Sequence, residues 1–322
     1  MTARSHIIAL CGGVGGAKLA FGLTRLLAPE QLTIIVNTGD DFDHLGLAIS
    51  PDIDTVAYTL SDLADRERGW GRKDESWNFM AALGAIGGAD WFNLGDRDLA
   101  MHVERTRRLA AGESLSRITT ELAAALGIRH AVFPMSDDPV RTVVETADGD
   151  LAFQLYFVRD HCQPVVNAVR YDGAAHARPS PGLAAALARE DVAAVVICPS
   201  NPHLSIDPIL ALPGVRAQLT ALRAPIVAVS PLIGGAALKG PAAKLMRELG
   251  AQPSVVALAR HYDGLLDGLV IDNADAAYES ELQTLGLRAL VTDAVMRGDD
   301  DRLRLARETV GFAQALARAP AP

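Results

Sequence analysis

The chain has 322 residues, of which 49% are hydrophobic and 21% charged, the composition of a globular protein with a large core. Its formal net charge of −9 excludes a broad basic surface, so we expect no nucleic-acid partner. Three widely spaced cysteines and the lack of a long apolar run argue against a disulfide framework and a membrane partner, and we expect a cytoplasmic location.

The first elements of the chain predict a βαβ unit. Two apolar runs, HIIALC at 6–11 and LTIIVNT at 32–38, have the composition of buried strands. The intervening leucines have the spacing of one helical face; they are Leu19, Leu23, Leu26 and Leu27. A strand, a helix and a second strand within about thirty residues predict a right-handed crossover and a parallel sheet.

The middle of the chain has a different pattern. Residues 55–127 are mostly helical in pattern, and SLSRITTELAAALG has a serine cap at its start and a glycine at its end. The segment RTVVETADGDLAFQLYFV then alternates apolar and polar residues on both sides of Asp148-Gly149, which predicts a β-hairpin. A hairpin within a parallel α/β chain indicates an insertion.

The second half returns to alternating strands and helices. The predicted strands are VAAVVIC at 192–198, APIVAVS at 224–230, GLVID at 268–272 and RALVTD at 288–293. We therefore predict an α/β fold with a Rossmann-like core and a mostly parallel sheet. Residues 1–54 form the first half of this core, 161–322 form the second half, and 55–160 form a helical and hairpin insertion with some core elements.

A glycine-rich turn, GGVGGAK at 12–18, joins the first strand to the first helix. It is not a Walker A loop, and Lys18 stands where the third glycine of a dinucleotide fingerprint would be. Glycines allow a tight turn and let a phosphate approach the free amides of the following helix. The turn thus predicts phosphate binding, with a purely structural β-to-α turn as the alternative.

Five aspartates follow the second strand; they are Asp40, Asp41, Asp43, Asp52 and Asp54. Open parallel sheets bind their ligands at the carboxyl ends of the strands, and carboxylates there can hold Mg²⁺ beside a substrate phosphate. Aspartate is also common in turns and helix caps, and Asp54 could be an N-cap. We predict that at least one of the five binds metal or acts as an acid or base.

Other polar loops offer weaker signals. WFNLGDRDLA carries Asn93, Asp96 and Arg97, for which a surface salt-bridge cluster is the alternative. CPSNPHLSIDPI follows the most apolar strand, and SPLIGGAALKGP, which contains Lys239, follows the next. The histidines are scattered without the spacing of metal ligands, and we interpret Trp70 and Trp77 as packing residues of the insertion.

Ten motifs in chain order resemble the 2-phospho-L-lactate transferase family, which makes the deazaflavin coenzyme F-420. They are GGVGGAK, NTGDD, SPDIDTVAYTL, RGWG, LGDRDLA, PMSDDPVRT, PSNP, SIDPILALPG, VAVSPLIGG and KGPAAKLM. Together they extend over roughly residues 6–311. The resemblance implies a Rossmann-like core with an additional helical and hairpin segment.

The resemblance also implies a reaction. The acceptor is Fo, a deazaflavin whose ribityl chain ends in a hydroxyl, and the donor is a guanosine diphosphate esterified at its β-phosphate to a three-carbon acid. The hydroxyl attacks the β-phosphorus and GMP leaves, with Mg²⁺ as the cofactor and a homodimer as the implied assembly. The transferred group is 2-phospho-L-lactate, phosphoenolpyruvate or 3-phosphoglycerate among relatives, and the sequence leaves this choice open.

Residue roles follow from the matching motifs. Asp54 and Asn93 match the contacts to Fo, although some archaeal members have Arg at the place of Asn93. Asp40 and Asp52 are the expected metal ligands and, with Asp54, the expected catalytic residues. The expected contacts to the donor nucleotide and its phosphates are Gly12, Gly13, Gly15, Gly16, Lys18, Asn37, Asp96, Arg97, Ser200 and Asn201.

Two other functions are alternatives to the transferase hypothesis. One is a nucleotide-binding regulator of a related branch that has the same glycine turn, but SPDIDTV and LGDRDLA match the coenzyme-making branch. The other is a dinucleotide-dependent oxidoreductase. Lys18 at the third glycine position and the clustered acids of NTGDD argue against that function.

Overall fold

The computed structural model describes residues 5–237 and 240–318, so Lys239 lies outside the described residues. The strands are β1 (His6–Cys11), β2 (Leu32–Val36), β3 (Phe42–His44), β4 (Leu47–Ile49), β5 (Ala131–Pro134), β6 (Arg141–Thr146), β7 (Gly149–Ala152), β8 (Val166–Asp172), β9 (Val192–Ile197), β10 (Ile226–Val229), β11 (Leu232–Ile233), β12 (Ala236–Ala237), β13 (Gly268–Asp272) and β14 (Arg288–Thr292). The helices are α1 (Gly13–Leu26), α2 (Pro51–Leu60), α3 (Asn78–Ala85), α4 (Asp98–Ala110), α5 (Leu115–Ala125), α6 (Pro181–Leu187), α7 (Asp207–Leu210), α8 (Val215–Ala221), α9 (Ala242–Glu248), α10 (Val255–Tyr262), α11 (Glu279–Thr284) and α12 (Asp299–Arg318).

Seven strands form one parallel sheet in the order β14-β13-β10-β9-β1-β2-β5. Its strands come from both halves of the chain, and β1 lies between β2 and β9, with Leu10 opposite Ile35 on one side and Ile197 on the other. All six pairings are parallel. The predicted α/β Rossmann-like fold is therefore confirmed.

Both faces of this sheet are buried, which explains why its strands are apolar without alternation. Ile8 and Leu10 of β1 lie in one core cluster, which α6, α7, α8 and α10 cover. Ile7 and Ala9 lie in the other cluster, which α1, α2, α5 and α12 cover. In the described part of the chain, no helix has both the length and the apolar character that crossing a bilayer requires.

The order of the strands creates a switch point beside β1. The chain runs from β1 to β2 and β5 on one side of β1, and β9 later pairs on the other side. The loops that follow β1 and β9 therefore begin side by side, at neighbouring carboxyl ends, and lead to opposite sides of the sheet. In open α/β sheets this is where a crevice forms and where ligands bind.

The middle of the chain adds two smaller units. The β3–β4 hairpin packs with α3 around Ile49, Met80 and Leu94. Strands β7, β6 and β8 form an antiparallel three-stranded sheet. Trp70 and Trp77 pack edge to face, with ring centroids 6.3 Å apart and the guanidinium of Arg68 over both rings.

The hairpin prediction is confirmed at its turn, where Thr146 lies opposite Gly149, but its second run is shorter than predicted. Strand β7 ends at Ala152, and Leu155–Arg159 forms a π-helical turn. Phe153 and Tyr156 are both buried in one cluster, and a helical turn brings residues three apart to the same side whereas a strand would separate them. Burial of both rings therefore ends the strand.

The ends of the helices follow their sequence signals in part. Ser114 Oγ accepts a hydrogen bond from the Arg117 amide at 3.3 Å, as the predicted cap of α5 requires. Gly250, with a φ of +87°, follows α9. Asp54 is not an N-cap, because α2 begins at Pro51 and Ser50 occupies the cap position.

Candidate functional site

The glycine turn lies at the switch point, and three of its four glycines are packed too tightly for side chains. Gly13 has a φ of +64°, which favours glycine. A Cβ atom on Gly12 would lie 2.3 Å from Asp52 Oδ2, one on Gly15 would lie 2.3 Å from the Pro199 carbonyl oxygen, and one on Gly16 would lie 2.4 Å from Ser200 Oγ. The glycines thus let the start of α1 contact both the loop after β9 and the start of α2.

Ser200 joins the loops that follow β1 and β9. Its Oγ accepts a hydrogen bond from the Gly12 amide at 3.1 Å and donates to the Gly12 carbonyl oxygen at 2.8 Å. Asn201 Oδ1 accepts from the amides of His203 and Leu204, whereas Asn201 Nδ2 is buried without a hydrogen-bond partner among the described residues. The residues of the two loops that are predicted to bind the donor substrate therefore meet. The side-chain NH₂ group of Asn201 is left to donate a hydrogen bond to a ligand.

Asn37 connects the two predicted metal ligands. Its Nδ2 lies 3.1 Å from Asp40 Oδ1 and 2.9 Å from Asp52 Oδ2, and a third acceptor, the Leu204 carbonyl oxygen, lies at 3.1 Å. An amide group has only two hydrogens for these three acceptors. Asp52 Oδ1 also accepts from the Gly13 amide at 2.7 Å, so a carboxylate lies where the start of α1 would bind a phosphate.

The electrostatics of this pair favour a cation. Burial raises the pKa of Asp52 to about 6, and hydrogen bonds from Asn37 and Gly13 limit the rise. Burial also raises the pKa of Asp40 well above its usual value, and the nearby charge of Asp52 raises it further. Two buried carboxylates that share one amide donor need a proton or a cation to offset their charges. Their oxygen atoms suit Mg²⁺, which binds through one or two carboxylates and substrate phosphates.

Asp41 was in the predicted acidic cluster without an assigned role. Ser50 Oγ donates to Asp41 Oδ2 at 2.8 Å, and Asp41 Oδ1 is buried without a hydrogen-bond partner among the described residues. Burial raises the pKa of Asp41 to about 7, against the opposing charge of Arg141. The hydroxyls of Thr38 and Thr142 are also buried, with no hydrogen-bond partner in the described part of the chain, and the Thr142 amide donates to the Gly39 carbonyl oxygen at 2.7 Å. Unsatisfied buried polar atoms are rare in native proteins, and water, an ion or a ligand commonly meets them.

Asp54 lies in α2 but faces away from the glycine turn, toward α4. Its two carboxylate oxygens contact the two terminal nitrogens of Arg105, and both side chains are buried. Arg105 also donates to the Ala48 carbonyl oxygen at 3.2 Å. Arg105 could not be predicted as part of the site, because nothing in the sequence pairs an arginine with an acid 51 residues earlier.

The loop of Asn93, Asp96 and Arg97 has separate hydrogen bonds. Asn93 and Arg97 are exposed. Asp96 accepts from Ser76 Oγ at 2.7 Å and from the amides of Asn78 and Phe79, which lowers the pKa of Asp96 to about 2. Asp96 therefore caps the start of α3. The hydrogen bonds found for it in the described residues lead to 76–79, not to the glycine turn.

The side chain of Lys18 contacts a different loop. Its Nζ donates to the Met296 carbonyl oxygen at 3.2 Å, in the segment between β14 and α12. Of the predicted donor-site residues, the structure thus brings together Gly12, Gly13, Gly15, Gly16, Asn37 and Ser200, with Asp40 and Asp52 beside them. Lys18, Asp96 and Arg97 have their described contacts elsewhere.

Comparisons with known proteins identify the family of the chain. A family model described as "2-phospho-L-lactate transferase CofD" matches residues 7–305. A phosphoenolpyruvate transferase of Streptomyces griseus subsp. griseus is 40% identical over 316 residues, which cover 96% of this chain and 98% of that protein. A 2-phospho-L-lactate transferase of Methanosarcina acetivorans is 40% identical over 306 residues, which cover 95% of this chain and 98% of that protein.

A solved structure agrees with the fold. The crystal structure of a UPF0052 family member from Bacillus halodurans has a TM-score of 0.63 to this chain and covers 95% of this chain and 99% of its own, at 17% sequence identity. A likeness at this identity concerns the fold alone. The match of the family model and of the two relatives extends over nearly the whole length, and the chain belongs to the 2-phospho-L-lactate transferase CofD family and is a transferase.

Proposed function

We propose that this transferase moves a phosphorylated three-carbon acid from its guanosine diphosphate conjugate to the terminal ribityl hydroxyl of Fo, with release of GMP, in the biosynthesis of coenzyme F-420. The observation that carries the proposal is the glycine turn at the switch point, with the Asp40–Asp52 pair beside the Gly13 amide. Amides and two acids at one place suit a diphosphate and its cation.

The donor diphosphate would lie along the start of α1. The amides of the glycine turn would bind its phosphate oxygens, and Asp52 would leave the Gly13 amide to make room for them. Asp40 and Asp52 would hold Mg²⁺, which supplies neutralisation of the diphosphate charge. Asn201 Nδ2, buried without a described partner, would donate to the same ligand.

The reaction forms a bond between the ribityl oxygen and the β-phosphorus and breaks the bond from that phosphorus to the bridging oxygen. GMP takes the bridging oxygen, and the hydroxyl proton passes to a carboxylate of the acidic cluster. Both oxygens of Asp54 contact Arg105, and both oxygens of Asp52 accept hydrogen bonds. Asp41, whose Oδ1 has no described partner, is the carboxylate we assign as proton acceptor.

Asp54 and Asn93 are the proposed contacts to Fo. Because Arg105 engages both oxygens of Asp54, we assign Asp54 a role in positioning the acceptor and not in proton transfer. Asn93 is exposed in the loop before α4, where a ligand can reach it.

The three-carbon acid of the donor is a separate question. The Streptomyces griseus and Methanosarcina acetivorans relatives carry names with different transferred groups, yet each is 40% identical to this chain. We therefore propose 2-phospho-L-lactate, phosphoenolpyruvate and 3-phosphoglycerate as the three donors to compare. A few pocket side chains can separate groups that differ by a methyl, methylene or hydroxyl.

The test is an assay of the purified chain with Fo, Mg²⁺ and each of the three conjugates in turn. We expect GMP and a phosphodiester of Fo in equal amounts, measured by chromatography and mass spectrometry, with one conjugate strongly preferred. Failure of all three to give GMP above a blank without enzyme would contradict the proposal. Tight binding of GDP without turnover would instead favour the nucleotide-binding regulator.

A further inference from the structure

A second cluster of side chains, outside the proposed transfer site, has the composition of a metal site. His203, Asp207 and His261 lie close together, with one ligand atom from each within 4.8 Å of the others. His203 is in the π-helical turn after Asn201, Asp207 is the first residue of α7, and His261 is next to the last residue of α10. We propose that these three side chains bind one Zn²⁺ ion.

The distances within the cluster suit a tetrahedral ion. His203 Nδ1 lies 3.5 Å and His261 Nε2 lies 2.9 Å from the same oxygen, Asp207 Oδ2. Ligands at roughly 2.0–2.2 Å from Zn²⁺ in a tetrahedron are about 3.3 Å apart. The two measured separations lie on either side of this value, and the ligand atoms of all three side chains lie within 4.8 Å of one another, so small movements of the side chains would bring all three to one ion.

The ligand atoms of the cluster favour Zn²⁺ over Mg²⁺. Two imidazole nitrogens and one carboxylate oxygen are ligands of Zn²⁺ and related transition metals, whereas Mg²⁺ prefers oxygen ligands alone. In the described part of the chain, the ion pairs found for Asp207 are with these two histidines.

The surroundings leave the cluster both anchored and accessible. The Tyr171 hydroxyl lies 2.6 Å from the His203 carbonyl oxygen and 3.4 Å from Asp207 Oδ2, so it holds the turn with the shorter hydrogen bond, and a cation would replace the longer one. The side chains of the three ligands are 16–23% exposed, which lets an ion enter from solvent. Three protein ligands leave a fourth position for water or a ligand oxygen.

A bound ion would connect distant parts of the chain. His203 follows directly on the loop of Ser200 and Asn201, and His261 comes from a helix on the same face of the sheet. The ion would thus fix the loop after β9 to the end of α10. This inference does not depend on the proposed transferase reaction, since the cluster and its test concern metal binding alone.

The experiment is a Co²⁺ titration of the full chain after treatment with a chelator, in millimolar Mg²⁺ so that oxygen-ligand sites are occupied. We expect one equivalent to bind with the intense visible absorption of four- or five-coordinate Co²⁺, and Zn²⁺ to displace it. His261→Ala and His203→Gln should each weaken binding at least tenfold. His176→Ala, which changes an exposed histidine outside the cluster, should bind as the unchanged protein does.

A second measurement distinguishes loss of the metal site from loss of the fold. Zn²⁺ should raise the melting temperature of the unchanged protein and of His176→Ala, because a ligand that binds the native state stabilises it, but not that of His203→Gln. Circular dichroism establishes that each variant is folded. The proposal is overturned if the unchanged protein takes up no Co²⁺ with intense absorption, or if folded His203→Gln and His261→Ala bind it as tightly.

Discussion

The amide of Gly13 donates to Asp52 Oδ1 at 2.7 Å, so the first free amide of α1 already has an anionic partner. The positive end of a helix attracts phosphate for the same reason that it attracts this carboxylate. The carboxylate and a donor phosphate would therefore compete for one amide. A cation that draws Asp52 away would remove this competition.

The first prediction concerns magnesium and nucleotide affinity. We expect GDP to bind at least tenfold more weakly in a chelator than in millimolar Mg²⁺, because Asp52 then keeps the Gly13 amide and adds its charge to that of the diphosphate. Calorimetric titration measures both affinities. Equal affinities with and without Mg²⁺ would contradict the assignment of Asp40 and Asp52 as its ligands.

The second prediction concerns Gly15. A Cβ atom there would lie 2.3 Å from the Pro199 carbonyl oxygen, so Gly15→Ala must displace α1 or the loop after β9. We expect a loss of about 1–3 kcal/mol in the free energy of unfolding, measured in urea, and weaker GDP binding. Gly311→Ala is the matched control, because a Cβ atom there meets nothing within 4 Å in helix α12. Alanine should stabilise that helix by up to about 1 kcal/mol; equal losses in both variants would contradict the prediction.

The third prediction concerns Arg105 and Asp54. Arg105→Ala leaves the carboxylate of Asp54 buried without its cation, and we expect a loss of about 3–5 kcal/mol in the free energy of unfolding. The control on the same helix is Arg107→Ala, whose side chain is 63% exposed and pairs with Glu104, and its loss should be much smaller than that of Arg105→Ala.

A double variant separates the pair from its packing. If the cost arises from the unpaired charge, Arg105→Met combined with Asp54→Leu should recover most of the stability that Arg105→Ala loses. Similar losses in Arg105→Ala and Arg107→Ala would show that the buried pair contributes little.

The fourth prediction concerns Asp41 as the proton acceptor. Asp41→Asn keeps the shape of the side chain but cannot accept the proton, so kcat should fall by roughly 10²–10⁴ with little change in KM. Asp43→Asn alters an exposed acid two residues later, in β3, and should leave kcat within about twofold. A variant Asp41→Asn with nearly full turnover would contradict the assignment.

The fifth prediction concerns the pH dependence of stability in a chelator. The pKa of Asp52 is raised from 3.8 to about 6 in the folded protein, so protonation favours the folded state. This contribution is fully present below about pH 4 and is lost as the pH rises through about 6. A shift of about two units corresponds to about 3 kcal/mol.

The matching variant is Asp52→Asn, which has no proton to lose. Between about pH 4 and about pH 8, its free energy of unfolding should fall less than that of the unchanged protein, by about 1–3 kcal/mol. Urea unfolding at the two pH values measures this difference. The same fall in both proteins would show that Asp52 has an ordinary pKa.

Much of the fold was predictable, because buried parallel strands are short apolar runs that end at turn residues. Gly12 and Ser200 were both predicted to contact the donor, and the structure joins them because parallel strands end at one edge of the sheet. The pairing of Asp54 with Arg105 was not predictable, since it depends on how α2 and α4 pack. His203 and Asp207 have the i, i+4 spacing of one helical face, but His261 reaches them only through the tertiary fold.

The contact between Gly12 and Ser200 spans 188 positions in the chain. The glycine turn is synthesised well before β9, so its contact with Ser200 forms only after β9 has been made and has paired with β1. A nascent chain that ends before residue 192 thus lacks one side of the proposed phosphate site. Nucleotide binding would therefore begin late in synthesis, once the two halves of the sheet have joined, and would report on that joining.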